Sequence, residues 1–410
     1  MSTASPATVA APAPESAITR RRPRDRKQQI LTAAAEQFWL LGYHQVAMAD
    51  IAAAVGIGAS ALYRHYRSKQ DLLVEVLNEA LDRLGSVPDD PEEFSELIAR
   101  IGALALERRE FGALCNRERG HLPQPDRDAL TQRLRTVVSR TAAALAAARP
   151  AEPAAVVDLR ARGVVAVLES PSYHRVTADS GRFVELLRRA AEAVVTVELP
   201  PTDEQAPTRW VGGRDPQAPV SRREALLGAA VQLFAERGFP AVSLTDIGSA
   251  TGIAGPSVYN WFPSKHDLLI SGLNRGNEAL WLTLRHALAD ADGPLDALHR
   301  TLDSYIAFAA ANPDIVSVML SETVNLPAEQ RERYRRVQHE YVAESVALLC
   351  RSRPDLDDTE ARILVHAALA VPNSLVRVRR LRRRPALAGE IAALSRAVLQ
   401  VPGTRLRTLT

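Results

Sequence analysis

The chain has 410 residues, 46% hydrophobic and 5% aromatic, with 51 Lys and Arg against 48 Asp and Glu. This length allows two or three domains, each with its own core, and a net charge of +3 permits a polyanionic partner without demanding one. Two cysteines, Cys115 and Cys350, exclude a disulfide framework, and no apolar run reaches the roughly 18 residues of a membrane helix. A cytoplasmic protein with no membrane partner is expected.

Residues 1–23 are rich in Pro, Ala, Ser and Thr and read as a disordered tail. The tail leads into a basic cluster of Arg20, Arg21, Arg22, Arg24, Arg26 and Lys27. A first helix follows in DRKQQILTAAAEQFWLLG, with Ile30, Leu31, Ala34, Phe38 and Leu41 on one face and Gly42 as its stop. A short helix across MADIAAAV, a turn at Gly56 and a third helix through ASALYRHY come next. Ser68, with Asp71 three residues on, opens a fourth helix with a capping-box pattern.

The stretch GIGASALYRHYRSKQDLL at Gly56–Leu73 returns as GIAGPSVYNWFPSKHDLL at Gly252–Leu269. Gly42/Gly238, Phe38/Phe234, Ile51/Ile247, Tyr63/Tyr259 and Lys69/Lys265 are all 196 residues apart, with no gap. Fainter echoes continue at offsets of 204 (HLP at 121–123, NLP at 325–327) and 201 (LESPS ending at Ser172, LAVPN ending at Asn373). A module of roughly 180 residues therefore occurs twice, with small loop insertions. Residues 200–220, rich in Pro, Gly and polar side chains, read as the linker. The stretches after each repeat carry apolar residues at three- and four-residue spacing, so the chain is expected to be all-α.

The spacing around the turn glycines is that of a helix-turn-helix. Small residues, Ala52 and Gly248, precede the glycines by four, Ile57 and Ile253 follow them, and Leu62 and Val258 lie six beyond. A small residue lets two crossing helices approach, a glycine accepts a positive φ, and the aliphatics fill the wedge.

These motifs, IAxxxGI followed by LYRHYxSKxDLL and its second version, resemble the N-terminal domain of TetR/AcrR-type transcriptional regulators. The resemblance is strong over 24–73 and 221–269 and reduces to length and helical pattern elsewhere. It implies two regulator subunits fused in tandem. The expected layout is a tail at 1–23, DNA-binding domains at 24–75 and 221–271, regulatory helical domains at 76–199 and 272–402, and a C-terminal tail at 403–410. The implied partners are double-stranded operator DNA and a small-molecule effector, with no cofactor and no metal. Repression is the family habit. No phosphate loop, nucleophile elbow or metal spacing points to an enzyme. A ligand-binding or dimerisation protein with one or both heads degenerate is the rival reading.

The third helix is expected in the major groove. Ala59, Ser60, Ala61 and Arg64 in copy one, and Gly255, Pro256, Ser257 and Asn260 in copy two, would then meet base edges. By resemblance, Tyr63, Tyr259, Lys69 and Lys265 touch phosphates, which fixes register without reading sequence. His65 and Trp261 are expected to pack behind the third helix. Copy two opens its second helix with Ser243 and Thr245 where copy one has Ala47 and Ala49, so copy one has fewer phosphate ligands there. Its basic arm either compensates or is a solvated tail. Arg suits guanine and Asn suits adenine, so Arg64 and Asn260 either read unlike half-sites or touch only backbone and solvent.

Helices 153–170 and 181–198 are expected to pack on 357–371 and 386–401, giving an intramolecular pseudo-dimer; a homodimer with four heads is the alternative. Phe111, Cys115 and His121 in copy one, and Trp281, Tyr305, Phe308, Met319 and Tyr341 in copy two, either line effector pockets or are ordinary core. RVRRLRRRP at 377–385 is a solvated loop or a contact for an acidic partner.

Overall fold

The computed structural model describes residues 23–86, 94–201 and 221–403. Arg20, Arg21, Arg22, the side chain of Arg24 and most of the 200–220 linker lie outside them. The described residues are helical throughout, without a strand. Copy one contains α1 (Pro23–Leu41), α2 (Met48–Ala54), α3 (Ala59–His65), α4 (Lys69–Gly85), α5 (Phe94–Glu107), α6 (Glu110–Glu118), α7 (Gln124–Ala148), α8 (Ala154–Glu169) and α9 (Ser180–Thr196). Copy two contains α10 (Arg222–Arg237), α11 (Leu244–Ala250), α12 (Gly255–Val258), α13 (Lys265–Ala289), α14 (Pro294–Ala311), α15 (Pro313–Ser321), α16 (Ala328–Ser352), α17 (Asp358–Leu375) and α18 (Leu387–Leu399). The copies correspond helix for helix, so the faint downstream echoes mark one architecture written twice.

The glycines act as their positions require. Gly42 and Gly238 end the first helices at φ 87° and 81°, and Gly56 and Gly252 make the helix-turn-helix corners at 71° and 70°. A side chain at any of these positions would be strained. Ser68 and Ser264 cap α4 and α13, accepting hydrogen bonds from the amides of Asp71 and Asp267. One helical-face assignment fails. Ile30, Leu31, Ala34 and Phe38 are buried, but Leu41 is 44% exposed, because it lies at the last helical residue, where the chain turns away at Gly42.

Each head has a small core of its own that extends into its regulatory half. Phe38, Ile51, Leu62 and Leu72 pack with Leu114 and Leu130, and Phe234, Ile247, Val258 and Leu268 pack with Val318 and Tyr334. The corners differ in one respect. Ala49 and Ala59 of copy one are replaced by Thr245 and Gly255, where a Cβ on Gly255 would lie 3.0 Å from Thr245 Oγ1. Volume lost on the third helix balances volume gained on the second.

A third, larger core joins the copies. α8 and α9 pack on α17 and α18, burying Val164, Phe183, Leu186 and Val194 with Leu364, Val371, Ile391 and Leu394. Gly163 permits this approach, since a Cβ there would stand 3.0 Å from Val194 Cγ1 and 3.5 Å from Leu394 Cδ1. Arg182 of α9 bridges Asp357 at 2.5 Å and Glu360 at 2.8 Å. Those two residues form the box that caps α17. One copy thus neutralises the buried carboxylate of the other. The four helices expected to pair do pair within one chain. The copies also meet near the heads, where a Cβ on Gly42 would clash with Val324 of copy two at 2.5 Å.

Candidate nucleic-acid interface and effector cleft

On the third helices, Tyr63 and Tyr259 are 53% and 59% exposed. Large aromatic side chains at such exposure are not packing residues. Arg64, Ser60, Asn260 and Pro256 are exposed as well, and Ala59, Ala61, Gly255 and Ser257 are partly so. Neither Arg64 nor Asn260 makes a side-chain hydrogen bond or ion pair with a described residue. The inner face is filled by Leu62 and Tyr66 in copy one and by Val258 and Phe262 in copy two. His65 is exposed and Trp261 is 43% exposed, which corrects the expectation that they pack behind the helix. Tyr66 and Phe262, four residues after the buried Leu62 and Val258, occupy that place; the helical spacing pointed to them.

The two lysines are less free than the resemblance implied. Lys69 Nζ donates to the carbonyls of Tyr43 at 2.7 Å and Val46 at 2.9 Å and sits 4.4 Å from the Tyr43 ring centre. Lys265 repeats this with Phe239 and Val242, both at 2.8 Å, and with the Phe239 ring at 4.3 Å. Desolvation lowers the pKa of both. Each lysine staples the turn between the first and second helices, and a phosphate role is confined to its third N–H.

Ser243 is also occupied. Its hydroxyl donates to Asp246 at 2.5 Å and accepts from the Asp246 amide at 3.1 Å, capping α11. Copy one keeps half of this box, with the Ala47 amide donating to Asp50 at 2.8 Å. Thr245 remains exposed. Arg26 donates to the Val55 carbonyl at 3.1 Å and Lys27 pairs with Glu75 at 2.5 Å. These two members of the basic cluster are thus tied to their own head.

Glu118, which reads from the sequence as a solvated or interface charge but is buried, and Glu322, which the sequence does not single out, connect heads to regulatory halves. Glu118 accepts a hydrogen bond from the Tyr43 amide at 3.3 Å, and Glu322 accepts one from the Phe239 amide at 3.1 Å. Each reaches the residue that follows a helix-ending glycine. Burial raises the Glu322 pKa, its hydrogen bonds from Ser321 and Phe239 lower it, and the nearby Glu118 charge raises it. Both glutamates lie three residues before the HLP and NLP echoes, the only signal that could have paired them.

The expected effector residues separate. Phe111 and Cys115 line a cleft of about 1690 Å³. Burial pushes the Cys115 thiol pKa well up, so this is an inert wall residue. His121 is elsewhere. Its ring stacks on Tyr43 at 5.0 Å, lies edge-on to His44 at 4.4 Å, and its Nε2 is 3.5 Å from Glu118.

In copy two the expected pocket is closed. Trp281 and Tyr305 pack on Tyr341 at ring distances of 5.8 and 6.2 Å, Phe308 is buried, and the space beside Tyr305 and Tyr341 is about 10 Å³. Met319 fills the notch left by Gly276, where a Cβ would lie 3.1 Å from its sulfur. These five residues are core, because the rings occupy the volume a ligand would need. Among the described residues, no group of three His, Cys, Asp or Glu side chains is placed to hold a metal ion.

Two glycine-cornered helix pairs, each presenting an exposed third helix and each joined to a helical domain, define a helix-turn-helix DNA-binding regulator. The residue pattern described as "Bacterial regulatory proteins, tetR family" matches twice, at residues 30–76 and 226–271. The HTH-type transcriptional repressor KstR2 of Mycolicibacterium smegmatis is 30% identical over 156 residues, covering 35% of this chain and 73% of that protein. The HTH-type transcriptional activator FasR of the same organism is 43% identical over 67 residues, 16% of this chain and 31% of that protein. A TetR-family regulator from Bordetella parapertussis of known structure aligns at 24% identity with a TM-score of 0.40, over 42% of this chain and 93% of that chain. The chain belongs to the TetR family and carries two of its modules in tandem; it is a DNA-binding transcriptional regulator.

Proposed function

We propose that this protein is an effector-responsive repressor that reads two half-sites of an operator with two heads carried on one chain. The observation that carries the reading is the exposure of Tyr63 with Arg64 and of Tyr259 with Asn260, on heads tied to one shared core. That core does the work a homodimer interface does in a one-headed regulator, so the chain needs no second copy. The KstR2 relative is named a repressor, which supports the sign of regulation.

Arg64 and Asn260 offer different hydrogen-bond patterns to the major groove, so the two half-sites differ in sequence. The test is selection from a randomised duplex library, with the wild type and with the exchange Arg64→Asn plus Asn260→Arg. Base preference moves between half-sites by roughly 1–3 kcal/mol per contact. Unchanged preferences in the exchange variant refute base reading by these two residues.

A second reading, in which one head is degenerate, rests on a specific difference. α3 runs over Ala59–His65, whereas α12 is a single turn, Gly255–Val258. Copy one lacks the hydroxyls of Ser243 and Thr245, and copy two has the shorter recognition helix. Gel shifts over a salt series with Tyr63→Ala and Tyr259→Ala separate the readings, since a degenerate head loses nothing on substitution.

A further inference from the structure

The cleft that contains Phe111 and Cys115 is not enclosed by copy one alone. Its apolar side comes from copy one, including Leu104, Phe111, Leu134, Val138 and Leu168. Its far side comes from copy two: Gln232, Ala235 and Glu236 of α10, Pro313 and Asp314 of α15, and the loop after α17. Nine arginines line it, against three carboxylates. Arg108 pairs with Glu79 and Glu110, and Arg162 and Arg380 share Asp158. The other six, Arg119, Arg135, Arg377, Arg379, Arg382 and Arg383, form no salt bridge with a described residue.

Their surroundings neutralise them only in part, since six arginines face three carboxylates without a salt bridge. Arg377 donates to the Asn373 carbonyl at 2.8 Å and lies 3.4 Å from Asn116 Oδ1 across the copies, both neutral acceptors. Burial, together with the Arg377 charge, lowers the pKa of Arg119. Of the three carboxylates, Glu169 accepts hydrogen bonds from Asn116 and Tyr173, and burial raises its pKa against the lowering effect of the Arg377 charge and of these bonds. Burial likewise raises Asp314, against the lowering effect of Arg382 and Arg379. A group of unpaired guanidinium ions at one end of a large cleft, opposite an apolar wall, matches a ligand with several anionic oxygens and a hydrophobic body. The corresponding region of copy two offers only about 10 Å³ beside Tyr305 and Tyr341.

We propose that the cleft between the copies binds one amphipathic organic polyanion per chain, with phosphate-like groups on the 377–383 arginines and an apolar portion on the α5–α7 wall. This identifies the effector class of the regulator reading above and rests on it. Because α10 belongs to the second head, occupancy links ligand to the placement of that head, and DNA and ligand affect each other's affinity reciprocally.

The test uses the full chain and isothermal titration with farnesyl diphosphate as probe, beside farnesol and inorganic pyrophosphate as its halves. One site per chain is expected, with each half at least tenfold weaker than the whole. The variant Arg379→Gln/Arg382→Gln/Arg383→Gln, at side chains that form no hydrogen bond or salt bridge with a described residue, is expected to weaken the probe at least tenfold. Its thermal unfolding should match the wild type.

No saturable binding of the probe below about 1 mM, pyrophosphate binding as tight as the whole probe, or an unaffected triple variant would each overturn the proposal. A parallel gel shift without probe separates the two layers. Intact DNA binding with no probe binding removes only this inference. Probe binding by a chain that ignores duplex DNA removes the regulator reading and leaves the site.

Discussion

The imidazole of His174 in copy one stacks on that of His366 in copy two, with ring centres 4.3 Å apart and planes inclined by 22°. His174 Nδ1 accepts the Val176 amide at 3.2 Å and faces Arg109 at 3.3 Å, so it has no place for a proton there. Burial holds the His174 pKa well below its ordinary value, with His366 and Arg109 adding to the effect. Burial also brings His366 down to about 4, with His339, Arg362 and Arg109 contributing. Both rings are therefore neutral in the joined molecule, and stability depends on their staying so. For groups with lowered folded pKa values, that stability is complete above the unfolded value near 6.5 and is lost as pH falls toward 4. Denaturant titrations between pH 8 and pH 4 should show a loss of roughly 3 kcal/mol from His366 alone. The variant His366→Leu should reduce the slope and leave the part due to His174, and an unchanged slope would contradict the assignment.

Gly248 lies where α11 crosses the turn before α12. A Cβ there would meet the Ile253 carbonyl at 2.5 Å and Val258 Cγ2 at 3.1 Å. Backbone cannot yield as a flexible side chain can, so Gly248→Ala should destabilise the second head by about 1–3 kcal/mol. The equivalent Ala52 already carries a methyl group, and Ala52→Gly should cost only about 1 kcal/mol of helix propensity. Footprinting on a selected operator is the measurement. Gly248→Ala should lose protection at one half-site only, and loss at both would mean that the heads are not independent.

Glu322 holds the Phe239 amide, which is otherwise buried. Removing the acceptor in Glu322→Ala should cost about 1–3 kcal/mol, whereas Glu322→Gln keeps a carbonyl oxygen and should stay near wild type. Melting curves for the pair decide whether hydrogen bonding or charge matters. If Gln were as harmful as Ala, the hydrogen-bond account would be wrong.

Arg182 neutralises Glu360, which is fully buried, from across the joint between the copies. Arg182→Ala takes a salt bridge from that carboxylate, which keeps the Asp357 amide as a donor. Because the guanidinium is partly exposed, the expected loss is about 2–3 kcal/mol, below the full value for a buried pair. The same joint predicts that the 44.6 kDa chain sizes as a single copy in light scattering, with and without DNA. A stable particle of twice that mass would favour the four-headed homodimer.

The duplication could be read from identity at a fixed offset, and the all-α class, the glycine corners and the serine caps from contacts within a few positions. The resemblance to a family of homodimers, rather than helical spacing, suggested α8, α9, α17 and α18 as the joint. Spacing could not say which apolar residues would find neighbours. Leu41, Trp261 and His65 have suitable positions on a helix but no surface to meet, while Trp281, Tyr305 and Tyr341, which spacing left as pocket or core, meet one another. Lys69 and Lys265 could be recognised as a repeated pair, yet only the folded turn shows their Nζ atoms turned inward to two carbonyls. Local order determined what this protein is built from. The three-dimensional meeting of residues hundreds of positions apart decided which of its charges are spent on holding it together and which remain free, because pairing depends on distance in space.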